Sequence, residues 1–364
     1  MKALTVGGAM IDTIAIIASD RIERMRMTNA DNSFLLLEEG RKTEALEVST
    51  HVGGGAVNAA VAMARLGLDV GALVKLGKDA RAETVLGHLM QERVSTRWAL
   101  RDGGAPTGAS VMLSSHDRNA AIFTFRGANT LLVESELRSE AFAVDAVYVS
   151  SLSNESADAF PAIIGSAKGQ GALVATNPGV RQLSSRGGAF QDTLRQIDIL
   201  GVNRSEADVL VPSLVTRFGE GTRRLPAKSG EPLPRLAARG FIGVGHEMGV
   251  IDFFAGLRKL GPRYVVVTDG REGAFLGTPE AILHCPVLET KVAGTAGAGD
   301  AFNATLTAYL AMGRPAEEAL RAAAINSASV VQHVDTQSGL LSLQEIDKRL
   351  GETKDTLAVR KWSH

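Results

Sequence analysis

Short apolar runs alternate with amphipathic stretches along most of this chain. Val70 to Leu76, Ala146 to Ser150, Ala172 to Thr176, Ile197 to Val202 and Tyr264 to Thr268 are too short for helices and too continuously apolar for half-exposed strands. They read as strands buried on both faces. Helical stretches at Ala80 to Arg93 and Ala157 to Lys168 separate some of them. Past residue 300, apolar positions at Phe302, Leu306, Tyr309 and Leu310 keep the spacing of one helix face. A further helix is expected from Ala316 to Val334, with Asn326 set among alanines. The alternation predicts an α/β fold, a doubly wound and mostly parallel sheet flanked by helices.

The pattern changes between Thr13 and Thr50. Ser33 to Glu38 and Ala45 to Val48 read as short strands between charged turns, unlike the buried strands of a parallel sheet. Gly108 to Leu113 and Ala121 to Arg126 look like a second piece of the same small sheet, joined through Ser115 to Asn119 as a hairpin. The expected organisation is an α/β core from residues 1–12, 51–107 and 128–350. A β lid of 13–50 and 108–127 would sit outside it, with a C-terminal tail at 351–364. Such a lid suits an active-site cover or a homodimer contact, since an exposed strand edge invites pairing with a second subunit. The apolar Phe34 to Leu37 could face either a ligand or that partner. Glu220 to Arg239 is rich in Pro, Arg and Gly and reads as a loop or insertion, the end of a longer unexplained stretch that starts at Ser213.

Bulk composition narrows the function. With 39 basic and 40 acidic residues among 364, the net charge of −1 offers no nucleic-acid or membrane surface. A single cysteine, Cys285, rules out an internal disulfide framework and fits a reducing cytoplasm. No run of about 18 apolar residues predicts a membrane span, and the amino-terminal Met1 to Val6 enters a strand without a signal-peptide pattern. The seven histidines show no metal-site spacing.

Candidate chemistry centres on Gly294-Thr295-Ala296-Gly297-Ala298-Gly299-Asp300, placed where a helix begins. Unpaired N–H groups at a helix start favour an anion, above all a phosphate, and an aspartate beside them can take a proton from a hydroxyl. Upstream, Gly53-Gly54-Gly55-Ala56-Val57-Asn58 lets backbone approach a ligand and adds an amide, ahead of a helix Ala59 to Leu66. Asp12 follows the first strand, where open α/β sheets bind ligands. Asn203 and Glu206 could hold water around Mg²⁺ or merely cap a helix. Thr268, Gly270 and Gly273 form a turn after a buried strand that could touch phosphate, and a buried Asn326 needs partners from core or ligand. A competing oxidoreductase reading would use Gly243-Val244-Gly245-His246-Glu247-Met248-Gly249, whose spacing departs from the dinucleotide fingerprint.

Taken in order, Asp12, the Gly53–Asn58 loop, Arg126-Gly127-Ala128-Asn129, Asn203 with Glu206, and Gly297 to Asp300 resemble the ribokinase-like (PfkB) family of carbohydrate and nucleoside kinases. The resemblance runs from about residue 3 to residue 346. It implies an ATP-dependent kinase acting on a primary hydroxyl of a sugar or ribonucleoside, with ATP and Mg²⁺ as cofactors; a non-catalytic sugar or nucleoside sensor on the same fold is the alternative. By this resemblance Asp300 is the catalytic base, and the N–H groups of the Gly297–Asp300 turn, at Ala298, Gly299 and Asp300, form the anion hole. Asp12, Gly54, Gly55 and Asn58 would bind substrate. Asn203, Thr268, Gly270, Gly273 and Asn326 would bind the nucleotide, and Glu206 the metal. Gly294 stands where the family commonly has Asp, near which many members hold a monovalent cation beside the loop matching Val334 to Leu340. The missing carboxylate puts K⁺ activation in doubt, though not Asp300.

Overall fold

The computed structural model describes residues 1–18, 23–26, 33–36, 39–40, 42–115, 120–227 and 232–363. Ten strands build the main sheet, in the spatial order Leu100–Arg101, Asp69–Leu76, Lys2–Gly7, Ala146–Val149, Leu173–Thr176, Ile199–Asn203, Tyr264–Thr268, Ala274–Gly277, Ala281–Cys285 and Arg360–Ser363. Neighbours are parallel as far as Tyr264–Thr268, and the last three strands are added antiparallel. The doubly wound α/β reading therefore holds for the seven-strand parallel part.

Alternation along each strand feeds two apolar layers. Leu4, Val147, Val149 and Val267 pack with Phe160, Phe190, Phe241, Phe253 and Phe254 on one face. Tyr148 and Val266 point to the other, against Val57 and Met63, Leu306 and Tyr309, and Leu320 and Ile325. These last three pairs come from the helices Gly55–Arg65, Ala298–Ala311 and Ala316–Val330. That face carries Asn58 and Asp300, whereas Glu206 comes from the helix Arg204–Phe218, whose Leu210 and Val211 pack in the other layer.

The small sheet has the order Ala45–Gly53, Met10–Ile17, Gly108–Ser115, Ala120–Phe125. Its centre, Met10–Ile17, was not legible as a strand. Asp12 accordingly lies within that strand rather than in a turn, and His51 to Gly53, expected in the core, end the neighbouring strand. Ser33–Leu36 does not join this sheet; it pairs with Glu23–Arg26 in a separate ribbon. The turn at residues 116–119, Leu37 and Glu38, and residues 228–231 of the Pro/Arg-rich stretch lie outside the described residues.

Other boundaries differ from the expected ones. The helix expected from Ala59 begins at Gly55, so Asn58 stands on its first turn. The helix expected to reach Val334 stops at Val330, and the Ala157–Lys168 helix is Phe160–Gly169 behind a short turn at Glu155–Asp158. Arg360–Ser363, expected as part of a tail, forms the sheet edge. Through it the Pro/Arg-rich stretch is tied down, as Trp362 Nε1 donates to the Pro226 carbonyl and Arg360 to that of Pro232.

Candidate active site

The site gathers at the carboxyl ends of the parallel strands, where loops rather than strands face the ligand side. Gly297 takes a left-handed φ of 77° and starts the helix Ala298–Ala311, which no side chain caps. A Cβ at Gly297 would sit 2.6 Å from that of Thr336, so glycine is required there. The helix opens with Ala298, Gly299 and Asp300, its positive end free of a side-chain acceptor. Ala298 N–H leans on the Thr295 carbonyl at 3.4 Å, while Gly299 faces open space.

Asp300 Oδ2 accepts from Asn58 Nδ2 at 2.8 Å. This contact joins residues 242 positions apart and brings the two glycine-rich motifs together. Gly54, at φ 99°, lets the chain cross Gly8 and Ala9, where a Cβ would lie 2.5 Å from the Gly8 carbonyl. Gly55 is equally confined, since its Cβ would meet Ser150 at 2.8 Å and Asp300 Oδ1 at 3.4 Å. Both glycines thus have a packing reason that places Asn58 beside Asp300.

Asp12 arrives from the small sheet, level with His51 on one neighbour and Ser110 on the other. It is buried and accepts a hydrogen bond from the Ser110 hydroxyl. Burial raises its pKa, against the Ser110 bond and the nearby His51, which lower it. Burial likewise raises that of Asp300, against the Asn58 bond, and the Asp12 charge adds to the rise. Asp300 keeps partial exposure as a residue, yet protein crowds its carboxyl enough for desolvation to dominate.

Glu206 is pushed up to about 7, first by burial and then by Asp300, against hydrogen bonds from Asn203 and Asn177. Asn203 and Glu206 form a reciprocal capping box on the helix Arg204–Phe218. The simple cap reading therefore describes their bonding, with Asn203 level with Thr268 on the next strand end. Asp12 and Glu206 both lie close enough to Asp300 for their charges to interact, and three neighbouring carboxyl groups whose ionised forms are disfavoured are a recurrent mark of functional sites. Among the described residues no three metal-ligating side chains meet closely enough to hold an ion alone.

Two expected nucleotide contacts look different in place. Asn326 is fully buried; its Nδ2 donates to Thr305 and its Oδ1 accepts from Leu341 N–H, so its amide is spent inside the core. Gly273 is required by the Cys285 carbonyl, 2.2 Å from where its Cβ would be, whereas Gly270 borders open space. The Gly243–Gly249 stretch is a β-hairpin, Phe241–Gly243 against His246–Met248. Its first two glycines lie in this hairpin, and the helix Val250–Lys259 begins only after Gly249, so the strand–glycine turn–helix geometry of a dinucleotide loop is not formed here.

Ser110, Tyr148, Asn177, Thr336 and Gln337 adjoin the candidate residues and were not singled out individually, although the last two fall in the Val334–Leu340 loop named above. Asn177 was findable as a polar residue just beyond a strand end. The Tyr148 hydroxyl is buried without a hydrogen-bond partner, its pKa driven up by burial and then by Asp300 and Glu206.

Residues 16–343 match the family described as pfkB family carbohydrate kinase. The chain belongs to the pfkB family of carbohydrate kinases. This kinase is therefore a phosphotransferase with an alcohol group as acceptor. It is 23% identical over 340 residues to a deoxyribokinase of Salmonella typhi, covering 93% of this chain and 98% of that one. It is 26% identical over 294 residues to mouse ribokinase, covering 79% and 80%. Among solved structures, Arabidopsis thaliana ribokinase complexed with ribose and ATP aligns with a TM-score of 0.69 at 20% identity, over 96% of this chain and 98% of that one. A putative ribokinase II from E. coli in complex with ATP and Mg²⁺ gives 0.71 at 16% identity, over 96% and 99%. The kinase thus has the ribokinase-like fold expected from its motifs.

Proposed function

We propose that this kinase transfers the γ-phosphoryl group of ATP to a primary hydroxyl of a sugar, with Asp300 as general base. The observation that carries the reading is the Asn58-held Asp300 carboxyl at the uncapped start of the Ala298–Ala311 helix, near enough to Asp12 for their charges to interact. A base needs a raised but accessible pKa, and burial supplies the rise. The N–H groups of Gly299 and Asp300, with that of Ala298, stabilise charge on the transferring group. Asp12 and Asn58, beside the Gly54–Gly55 backbone, orient the sugar hydroxyls.

The residues present fit a magnesium nucleotide. The uncapped helix start and the open space at Gly299 and Gly270 leave room for phosphates. Glu206, Asn203 and Asn177 are oxygen donors for an ion that keeps several waters and substrate phosphates as ligands. When bound, Mg-ATP supplies the phosphoryl group and an ion that offsets the charge of the carboxylates. Thr268 and Gly270 line the phosphates from the adjoining strand end.

The lid sheet serves as a homodimer contact. Val48, Val111, Phe123 and Phe125 share the face opposite Asp12 and are 63%, 43%, 60% and 53% exposed. An apolar patch of this kind favours association with a second copy.

Release of ADP from Mg-ATP, measured across a panel of sugars and ribonucleosides, tests the reading. Turnover with pentoses or hexoses supports it. Turnover confined to nucleosides transfers the same chemistry to a nucleoside kinase, the activity named for a Methanocaldococcus jannaschii neighbour of TM-score 0.68. Binding without turnover, read by thermal shift, would mark a sensor and overturn it.

A further inference from the structure

The contact between Asn58 and Asp300 does not end at Asn58. Asn58 Oδ1 accepts from Gln337 Nε2 at 2.8 Å and from Thr336 Oγ1 at 2.9 Å. Gln337 Nε2 also donates to the Val52 carbonyl at 2.9 Å, and Gln337 Oε1 meets His88 Nε2 at 2.6 Å. His88 lies on the helix Ala80–Gln91 and lines a cleft of about 540 Å³. Gln337 crosses from that cleft to the back of the active site while itself 5% exposed.

The directions of these bonds are determined by chemistry. An amide oxygen only accepts and an amide nitrogen only donates. With two donors on Asn58 Oδ1, its NH₂ must face Asp300. With Val52 and Asn58 both accepting from Gln337, its oxygen must face His88, which then carries a proton on Nε2. The loop bearing Gln337 is braced from within, since Asp335 Oδ1 accepts from the N–H groups of Gln337 and Ser338. Arg65 clamps the Gln337 and Leu340 carbonyls while paired with Glu92.

We propose that Gln337, backed by His88, is a positioning residue that locks the Asn58 amide with its NH₂ toward the base. Without the Gln337 donor only the Thr336 hydroxyl still meets Asn58 Oδ1, and a hydroxyl can accept as well as donate, so the amide loses the contact that fixes its orientation and can turn by about 180°. The bond that favours the charged base would then be lost. The other titratable groups facing Asp300 are Asp12 on Met10–Ile17, Tyr148 on Ala146–Val149 and Glu206 on Arg204–Phe218. None of them is a cation, so among these side chains nothing replaces the Asn58 NH₂. The inference rests on Asp300 being the base.

The test uses Gln337→Leu, which keeps the volume and removes both polar groups, and Gln337→Glu, which replaces the donor by an acceptor. Each is read as a pH–rate profile with the best substrate of the panel. In both, kcat is expected to fall about 10- to 100-fold with the nucleotide KM nearly unchanged, and the acid limb to move to higher pH. The Glu variant should show the larger shift. His88→Phe should reproduce part of the effect, while His88→Gln, which retains a donor, should restore kcat to within about threefold. Unfolding midpoints of the variants separate a folding defect from a positioning one. An acid limb that stays in place in folded Gln337→Leu and Gln337→Glu overturns the proposal. If Asp300→Asn is also fully active, the base assignment has failed; if Asp300→Asn is inactive, only the relay has failed.

Discussion

Asp300→Asn is expected to separate catalysis from folding in this kinase. The amide has the shape of the carboxyl, and its oxygen can still accept from Asn58 Nδ2, now 2.8 Å from Asp300 Oδ2. A charge-assisted bond becomes a neutral one, a loss of about 1 kcal/mol. Against that stands the burial of the charge. The Asp300 pKa is raised, so the summed surroundings, Asn58 included, disfavour the ionised form. A group whose folded pKa exceeds its unfolded value costs stability above the folded pKa and nothing below the unfolded one. The variant is therefore expected to unfold at an equal or higher temperature at pH 8, with the difference vanishing toward pH 3. Turnover is expected to drop by roughly 10²–10⁴-fold, about 3–5 kcal/mol of barrier, with nucleotide affinity retained. Coupled ADP release and scanning calorimetry measure both. Turnover near that of the native enzyme would refute the base assignment, and a large fall in the unfolding temperature at pH 8 would refute the electrostatic argument.

Because the Asp300 pKa lies above the ordinary carboxylate range, the acid limb of kcat/KM should fall at a higher pH than a free aspartate gives, a point a pH–rate series decides. Turnover should be the same in K⁺ and in Na⁺ buffers. Gly294 supplies no carboxylate to hold such an ion. A several-fold activation by K⁺ would contradict this. Phe123→Asp puts a charge on the exposed lid face and should convert a dimer to a monomer in sedimentation velocity; an unchanged sedimentation coefficient argues against that face. Cys285 is buried with its thiol pushed up to about 12, so iodoacetamide at pH 8 should label it only after unfolding.

Much of this architecture could be read from local pattern because its cause is local. Buried parallel strands need unbroken apolar runs, and Val70–Leu76 or Tyr264–Thr268 have them. The start of the Ala298–Ala311 helix follows from small residues and a glycine at Gly297. Met10–Ile17 escaped notice because, as the centre of a small sheet, it mixes Asp12 and Thr13 with apolar neighbours, and its partners lie far along the chain. The sequence also allowed Asn203 and Glu206 to be either a cap or ligands; their bonding is that of a cap, and burial of Glu206 is what the tertiary structure adds.

By itself, then, the sequence determined the α/β class, the glycine turn ahead of Asp300 and the kinds of groups available for phosphoryl transfer. These depend on residue type and spacing within a single element. Which groups meet was decided only by the tertiary structure. Asn58 reaches Asp300 across 242 residues and Gln337 reaches Asn58 across 279, because two helices and a loop pack on one face of the sheet. Likewise the raised pKa of Asp300 comes from burial, a property no local spacing carries. Asn326, identical in type to Asn58, was turned into a core residue by the same packing.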